Sequence, residues 1–524
     1  MHTKEISVTE RTSKSLKNMA FGIGGQLLNI IMSFIARTVL IYTMGDVYAG
    51  LAGNFTNILM VFSLADLGIG TAIIFALYKP IALDDKEKIR ALMGLYQKAY
   101  TIIGFVIIGL GLCLTPFIHL LVKTEEVIPH LEIIFMLYVL NTASSYFLSY
   151  KGTLITANQK NYIVTNVVYI TSIISYGIQI AILYLTRNYI LSLTVQIVTN
   201  MLQNVITMII ANRMYPYIKG RCPDALQKRE KRKIFSNMRA LVFYRAGQVV
   251  INGTDSIVIS AMVGIVETGL YSNYMLLFTT IKNLLNQVFN AITASVGNLA
   301  AIESDEKKYE VFNMVYFGSF WMYAFCSVCF FVLVTPFITL WLTSKRELSS
   351  LVVMFLVLNF YLQGVRHVNN TFRDTMGVFR QGRFIPLLAA VVNIVVSVAL
   401  APSLGVLGVM IGTTVCLAGV LVWMEPIVLF KYGFKRSPGM YFLKYILYLI
   451  ITAAACFITK FVCDLLLGSD ITVLTFIIRL VICIILPNAM FALMFFKTKE
   501  FKMLFGSIRN TLRRKLFKKR GKHA

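Results

Sequence analysis

Charged residues are scarce in this chain of 524 residues. They make up 14% of the sequence, against roughly 25% in an ordinary soluble domain, while 57% of the residues are hydrophobic. That composition excludes a soluble globular protein and indicates a polytopic membrane protein. Histidine is sparse as well: the five histidines are dispersed along the chain and lack the ligand spacing of a zinc cluster.

Cysteine is also infrequent, and its spacing carries no redox or metal motif. The one close pair among the eight cysteines, Cys326 and Cys329, falls inside a predicted helix, where both are interpreted as small apolar side chains. The sequence contains no Walker-type glycine loop with its lysine, which disfavours a primary pump. We therefore predict no cofactor and no metal site. The first 17 residues are polar and precede no cleavage site, so the first span is expected to be retained.

Apolar stretches of about 20 residues, the length that crosses a bilayer, recur along the whole chain. They predict an all-α polytopic membrane protein with about fourteen transmembrane helices. The predicted spans are 18–44, 48–77, 94–122, 131–151, 161–186, 189–213, 238–264, 268–299, 311–342, 350–377, 384–402, 405–431, 441–466 and 472–497. The predicted organisation is a cytoplasmic N-terminal segment (1–17), an N-lobe (18–213), a basic cytoplasmic linker (214–237), a C-lobe (238–431), an extra helix pair (432–497) and a basic cytoplasmic tail (498–524).

The net charge of +26 is distributed according to membrane topology. With the N-terminus inside, the inside segments hold 40 of the 50 basic residues and the outside loops hold 4. This asymmetry is the positive-inside pattern, which places both termini in the cytoplasm. The basic tail is interpreted as a topology anchor, with contact to anionic membrane lipids as the alternative. A nucleic-acid partner is not expected, because no folded basic domain accompanies the charge.

The sequence repeats itself at an offset of 218 to 222 residues. The segment 114–118 (LTPFI) returns as 334–338 (VTPFI), and Gly50-Leu51 returns as Gly269-Leu270. Each half contains six predicted spans, an even number, so both halves enter the membrane in the same orientation. Their pseudo-twofold axis should then run along the membrane normal, as in transporters whose substrate site lies between two repeats.

Polar side chains form stripes at helical spacing on five predicted spans. The stripes are Gln26, Asn29, Ser33 and Arg37 on span 1; Gln196, Asn200, Gln203 and Asn204 on span 6; Arg245, Gln248, Asn252 and Asp255 on span 7; Lys282, Asn286 and Asn290 on span 8; and Asn359, Gln363, Arg366, Asn370 and Arg373 on span 10. Such groups are costly in hydrocarbon, so the stripes predict a hydrated central cleft. The alternative is hydrogen bonding between helices.

The intramembrane charged residues indicate whether the cargo carries positive or negative charge. By depth, Arg245 is expected to pair with Asp66, and Arg37 with Asp255. Two further cations, Lys282 and Arg366, have no comparable acidic partner by this count. The cleft is therefore predicted to be net positive and to favour an anionic group such as phosphate, while amides suit sugar hydroxyls. Asp66 and Asp255 are also candidates for binding a coupling ion. In the extra pair, Lys460 and Arg479 are expected to snorkel to the interface.

Four stretches carry a resemblance to a known family. They are 37–40 (RTVL), 63–70 (SLADLGIG), 254–260 (TDSIVIS) and 269–274 (GLYSNY). With them the chain resembles the bacterial oligosaccharide repeat-unit flippases of the polysaccharide transporter family, which serve O-antigen, capsule or exopolysaccharide. That family belongs to the superfamily that also holds multidrug extruders and lipid II flippases.

The resemblance implies a two-lobed carrier in the bacterial inner membrane, with spans 1, 2, 7 and 8 lining the cleft. Its cargo would be an undecaprenyl diphosphate-linked oligosaccharide, moved to the outer leaflet by alternating access, with a polysaccharide polymerase and other assembly proteins as partners. The diphosphate would meet Arg37, Arg245, Lys282 and Arg366. The sugars would meet the polar lining, which comprises Gln26, Asn29, Asn54, Gln248, Asn252, Asn286, Asn290 and Gln363.

Two other classes remain as alternatives. A cation-coupled multidrug exporter shares the expected fold, but a pocket for organic cations should be net acidic. A polysaccharide polymerase or ligase would need a folded outside segment or converging acid and base groups, whereas the predicted outside loops are short. The sequence therefore favours a non-enzymatic carrier.

Overall fold

The computed structural model describes residues 8–66, 69–219, 246–251, 253–302, 304–378 and 381–506. These residues form an all-α protein. The helices of the first half are α1 (Val8–Met44), α2 (Asp46–Phe62), α3 (Ile69–Ala82), α4 (Lys86–Leu114), α5 (Leu131–Ala157), α6 (Asn161–Thr186), α7 (Tyr189–Met214) and α8 (Gly253–Val263). They are followed by α9 (Ile265–Ile302), α10 (Asp305–Trp341), α11 (Ser350–Thr375), α12 (Ile385–Leu404), α13 (Val406–Phe434), α14 (Gly439–Leu467) and α15 (Val473–Phe495).

Side-chain caps define where several helices begin. The Asp85 carboxylate accepts a hydrogen bond from the backbone of Lys88 at the start of α4, and Asn188 accepts one from Leu191 at the start of α7. Thr472 forms a capping box at the start of α15. Each cap satisfies a backbone N–H that has no partner within the helix, so short polar loops can separate long apolar helices.

Eleven helices in the described residues are long and apolar enough to cross a membrane. The other three predicted spans, at 48–77, 238–264 and 268–299, are helical over most of their described residues. The all-α polytopic class predicted from the sequence is thus confirmed. The predicted lobes stay a prediction, since most of the linker and of the basic tail falls outside the described residues.

The prediction of one continuous helix over span 2 was wrong. Helix α2 ends at Phe62, a 3₁₀ turn occupies Ser63–Asp66, and α3 starts at Ile69. The Ser63 hydroxyl donates to the backbone oxygen of Leu59 at 2.9 Å, and local bonds of this kind compete with helix continuation. The interruption falls within the stretch 63–70 that carried part of the family resemblance.

The repeated Thr-Pro pair also behaves differently in its two copies. Pro116 lies in a 3₁₀ turn directly after α4 ends at Leu114, whereas Pro336 lies inside α10, which continues to Trp341. A proline removes one helical hydrogen bond but does not by itself end a helix in a bilayer, where neighbouring groups can compensate. Sequence similarity between the halves therefore does not imply identical local structure.

The chain divides into two compact units, Met1–Ser272 and Asn273–Ala524. In the first unit, a core of aliphatic and aromatic side chains includes Leu51, Phe55 and Phe135, all fully buried. In the second unit, α10 packs against α11, α14 and α15. Aromatic rings fill that contact, as in the stack of Phe320 on Tyr448 with centroids 4.1 Å apart.

Large apolar side chains also cover the outside of the helices. On α14 they follow one another at spacings of three or four and include Leu443, Ile450 and Phe461, each at least 60% exposed. In water such a surface would be strongly unfavourable, whereas lipid chains solvate it well. The protein is an integral membrane protein.

A further helix at 499–506 packs onto the second unit after α15. Phe501 and Phe505 both contact the Trp321 ring of α10. Two ion pairs flank these rings: Lys499 with Glu310 at 2.9 Å and Glu500 with Lys444 at 2.7 Å. The mixture of ring contacts and charge pairs fixes this segment to α10 and α14.

Candidate functional site

An intramembrane lysine of the second unit is held by an amide. Lys282 lies in the middle of α9, and its Nζ donates to Oε1 of Gln363 on α11 at 2.8 Å. Arg366 is close enough to act electrostatically on Lys282. An amide oxygen satisfies one proton of the ammonium group but supplies no negative charge. Lys282 is therefore hydrogen-bonded to a neutral group, and this contact does not balance its positive charge.

His367 lies next to this lysine, a neighbour that sequence reasoning missed. It follows Gln363 by one helical turn on α11, and its ring meets the edge of Phe289 from α9 with centroids 5.2 Å apart. Both Lys282 and Arg366 act on the imidazole electrostatically. The signal was present in the sequence, because a spacing of four from Gln363 places His367 on the same polar face.

Arg366 has an acidic partner, contrary to the expectation from the sequence. Its Nε donates to Oε2 of Glu425 at 2.8 Å and its Nη2 donates to Oε1 at 2.9 Å. Both side chains are buried, with 5% and 3% of their surfaces exposed. This two-bond fork is the geometry in which arginine holds a carboxylate most firmly. Glu425, on α13, was overlooked because it lies near the predicted cytoplasmic end of its span.

The charges around this pair are balanced. Arg373, also buried, bonds to its neighbour Asp374 at 2.8 Å and lies 4.0 Å from Glu425. Two arginines thus face two carboxylates, and among the described residues of this cluster Lys282 is the cation left over. Burying Arg366, Arg373 and Glu425 is tolerated because each has a partner of opposite sign, which for Arg373 is the exposed Asp374.

Other amides in the stripes bond between helices, as the alternative interpretation proposed. Asn359 donates to the Met410 backbone oxygen at 3.1 Å and accepts from Thr414 at 2.8 Å. In the first unit, Asn200 donates to Asn141 at 2.7 Å. Such bonds join neighbouring helices in an environment without water. The stripe on span 6 and part of that on span 10 therefore contribute to helix packing.

Arg37 forms a structural junction in the first unit. Its guanidinium donates to the Ala49 backbone oxygen at 3.1 Å and to the Ser272 hydroxyl. Asp255, expected to pair with Arg37, accepts a hydrogen bond from the Tyr271 hydroxyl. The structure thus gives each of the two predicted partners another neighbour, and Arg37 joins α1 to both α2 and α9.

Asn54 is fully buried in this conformation. Its amide donates to the Leu121 backbone oxygen at 3.1 Å and to the Ser260 hydroxyl at 2.8 Å. One turn further along α2, Asn57 makes a similar bond to Ser256. These bonds tie α2 to α8 along their length. Asn54 is a packing residue in this conformation and is not exposed to a ligand.

The remaining predicted site residues fall into two groups. Four are partly exposed: Gln26, Asn29, Gln248 and Asn286. Arg245 and Asn252 lie outside the described residues, as do the side chains of Asp66 and Asn290. The structure therefore brings together Lys282, Gln363 and Arg366, with His367 beside them. In the extra pair, half-exposed Lys460 bonds to Asp464, while Arg479 is buried and donates to the Gly468 backbone oxygen.

The fold matches those of solved membrane transporters. The lipid II flippase MurJ in an inward closed conformation matches with a TM-score of 0.66 and 15% identity, over 91% of this chain and 99% of that chain. An inward-facing multidrug resistance MATE family transporter of the MOP superfamily matches with a TM-score of 0.60 and 13% identity, over 78% and 96% of the two chains. The Vibrio cholerae MATE transporter VcmN in the bent form matches at 0.51 and 12%, over 79% and 98%. These low identities establish the fold alone.

The fold defines the class of protein: a polytopic membrane protein with the fold of solved transporters. The model of one family, described as polysaccharide biosynthesis protein, matches residues 15–295, which is more than half of the chain. The chain belongs to the polysaccharide biosynthesis protein family. No protein sequence of curated function matches it significantly.

Proposed function

We propose that this protein is a flippase for undecaprenyl diphosphate-linked oligosaccharide repeat units. It moves them from the cytoplasmic to the outer leaflet by alternating access, for the synthesis of a surface polysaccharide, without catalysing a chemical reaction. The family and the fold support transport in polysaccharide biosynthesis. The finer assignment of the cargo depends on the chemistry of the intramembrane site.

The observation that carries the proposal is Lys282, a cation in the middle of a long intramembrane helix whose contact is an amide oxygen at 2.8 Å. Keeping an uncompensated charge at this depth is costly, so the position is by default functional. A diphosphate supplies the missing negative charge, and the ammonium group can donate to its oxygens. A carrier for organic cations would need the opposite sign at this place.

In the proposed mechanism, the diphosphate enters from the cytoplasmic side and neutralises Lys282. Neutralisation lowers the cost of closing the site against water, which lets the protein change to its outward-open state. The partly exposed amides then contact sugar hydroxyls, while the lipid chain stays in the bilayer. Release to the outer leaflet leaves Lys282 charged again, and the empty carrier returns.

The other predicted residues receive narrower roles. Arg366 is neutralised by Glu425 in this conformation, so it contributes to the diphosphate site only if that pair opens. Arg37 and Arg245 remain candidates for later steps of the passage, and Asp66 and Asp255 remain candidates for ion coupling. The proposed sugar contacts are Gln26, Asn29, Gln248, Asn252, Asn286, Asn290 and Gln363.

The positive-inside pattern supports placement in the bacterial inner membrane with both termini in the cytoplasm. A polymerase on the outer side would receive the flipped repeat units and is the expected partner.

A proteoliposome assay with a fluorescently labelled lipid-linked oligosaccharide tests the proposal. A membrane-impermeant reagent quenches label in the outer leaflet of the vesicle, so flipping appears as additional quenching over time. The expected result is protein-dependent flipping of the oligosaccharide lipid, with no export of a cationic dye. Dye export without lipid flipping would favour the multidrug class. Extension of the oligosaccharide would favour a polymerase.

A further inference from the structure

His367 has no assigned role, although it lies beside the proposed diphosphate site. It shares a face of α11 with Gln363, the residue that holds Lys282. Its Nε2 atom is buried and has no hydrogen-bond partner among the described residues. Buried polar atoms in proteins are nearly always bonded, because an unbonded one loses its water without compensation. This nitrogen is therefore a natural contact for a polar ligand.

Both charged and aromatic groups surround the ring. Lys282 on α9 and Arg366 and Asp374 on α11 act on it electrostatically. Phe289 contacts the ring edge to face, with centroids 5.2 Å apart, and in turn stacks on Tyr323 of α10, with centroids 5.8 Å apart. The imidazole is thus packed against an aromatic ring and lies within electrostatic reach of Lys282.

We propose that His367 is a second member of the anion site and binds the diphosphate in its imidazolium form, so that substrate loading takes up a proton. This inference rests on the proposed function. A neutral imidazole donates one hydrogen bond, whereas an imidazolium donates two and carries a positive charge. A diphosphate oxygen beside Nε2 stabilises the added proton, and the proton strengthens the hold on the anion. Neither requires a covalent change in the lipid.

The consequence is linkage between pH and affinity. While one proton is taken up on binding, the affinity rises by up to about tenfold for each unit that the pH falls. Release of the cargo on the other side of the membrane would return the proton. Between pH 5.5 and 7 Lys282 stays charged, so it gives no such dependence by itself in that range.

A binding experiment on purified protein in nanodiscs tests the inference. The probe is a water-soluble short-prenyl diphosphate that carries one N-acetylglucosamine. Both of its phosphates are esterified, so it lacks the second phosphate ionisation near pH 6 that would otherwise titrate in the same range. Affinity is measured calorimetrically from pH 5.5 to 7, in buffers of different ionisation enthalpy, which counts the protons taken up.

The compared variants are His367→Gln, which keeps a neutral hydrogen-bonding side chain, and His119→Gln, which removes an exposed histidine elsewhere in the fold. We expect the wild-type protein and the His119 variant to bind more tightly by at least about fivefold at the acid end, consistent with uptake of up to one proton. His367→Gln should bind with the same affinity at every pH in this range, at about the wild-type value for pH 7.

Each other outcome has a defined meaning. Unchanged pH dependence in His367→Gln, or proton uptake near zero in the wild type, overturns the inference and leaves the proposed function standing. Absence of probe binding by the wild type at every pH contradicts the proposed function, and this inference with it. If His367→Gln does not fold, the proton count of the wild type still decides.

Discussion

Arg366 and Glu425 form a buried two-bond ion pair between α11 and α13, with N–O distances of 2.8 and 2.9 Å. This ion pair determines which intramembrane cations of the second unit have a carboxylate partner. Because Glu425 neutralises Arg366, and Arg373 has Asp374, Lys282 is the cation of this cluster left without a carboxylate among the described residues. A cation without an acidic partner in the sequence can thus be paired in the structure.

Arg366→Ala should destabilise the protein by about 3 to 5 kcal/mol, because buried Glu425 loses both of its hydrogen bonds and keeps only Arg373, 4.0 Å away. The apolar double variant Arg366→Met/Glu425→Leu should be close to wild type in stability, since no unpaired charge remains. Thermal unfolding in detergent measures both. A single variant as stable as the wild type would show that Arg366 is not held by this pair.

Gly50 and Gly269 predict a second stability effect. These glycines occupy equivalent places in the two sequence repeats. A Cβ added to Gly50 would lie 3.1 Å from the backbone nitrogen of Gly269, and one added to Gly269 would lie 3.2 Å from that of Gly50, both closer than ordinary van der Waals contact. A methyl group on Gly50 would collide with the Ile265 backbone oxygen, so Gly50→Ala should cost about 1 to 3 kcal/mol. The matched control is Gly109→Ala on α4, where no heavy atom of a neighbouring element lies within 4 Å.

The control should unfold at the wild-type temperature. Equal melting temperatures for Gly50→Ala and Gly109→Ala would contradict the close approach of α2 and α9. Small residues at crossing points are how intramembrane helices approach closely, which gives the repeated Gly-Leu pairs a physical reason.

Arg37 and Ser272 should behave as one unit. Hydrogen bonds to a charged group contribute about 1.5 to 3 kcal/mol, so Arg37→Ala should lower the melting temperature more than Ser272→Ala, which removes one acceptor. The double variant should be little worse than Arg37→Ala alone, because the shared bond is lost only once. Strictly additive losses in this double-mutant cycle would show that the two side chains are not coupled.

The helices could be predicted because the bilayer fixes the length and apolarity of each span. Stretches of about 20 apolar residues each fall on helix in the described part of the chain, and the repeat was visible as matched strings. The break at Ser63–Asp66 was not predicted, although Asp66, Gly68 and Gly70 are turn-favouring residues within an otherwise apolar stretch. The Ser63 hydroxyl that bonds back to Leu59 became informative only with the backbone in place.

The site was predicted less completely, for reasons of tertiary contact. Arg366 and Glu425 are 59 residues apart, and helical spacing shows which residues share a face but not which face of another helix it meets. Asn54 was assigned to the polar lining, yet its bonds to Leu121 and Ser260 come from distant parts of the chain. Lys282 and Gln363 were both identified as site candidates, and the structure adds that they bond to each other.

Replacing Lys282 tests the proposed anion site most directly. The measurement is the initial rate of flipping of a labelled lipid-linked oligosaccharide in proteoliposomes, for Lys282→Gln and for Lys460→Gln. The second variant removes another lysine within a membrane helix, one that is half-exposed and pairs with Asp464 at 2.8 Å. If Lys282 binds the diphosphate, the flipping rate of Lys282→Gln should fall by at least about tenfold, which corresponds to about 1.4 kcal/mol. The flipping rate of Lys460→Gln should be unchanged. Wild-type flipping by a correctly folded Lys282→Gln protein would contradict the proposed anion site.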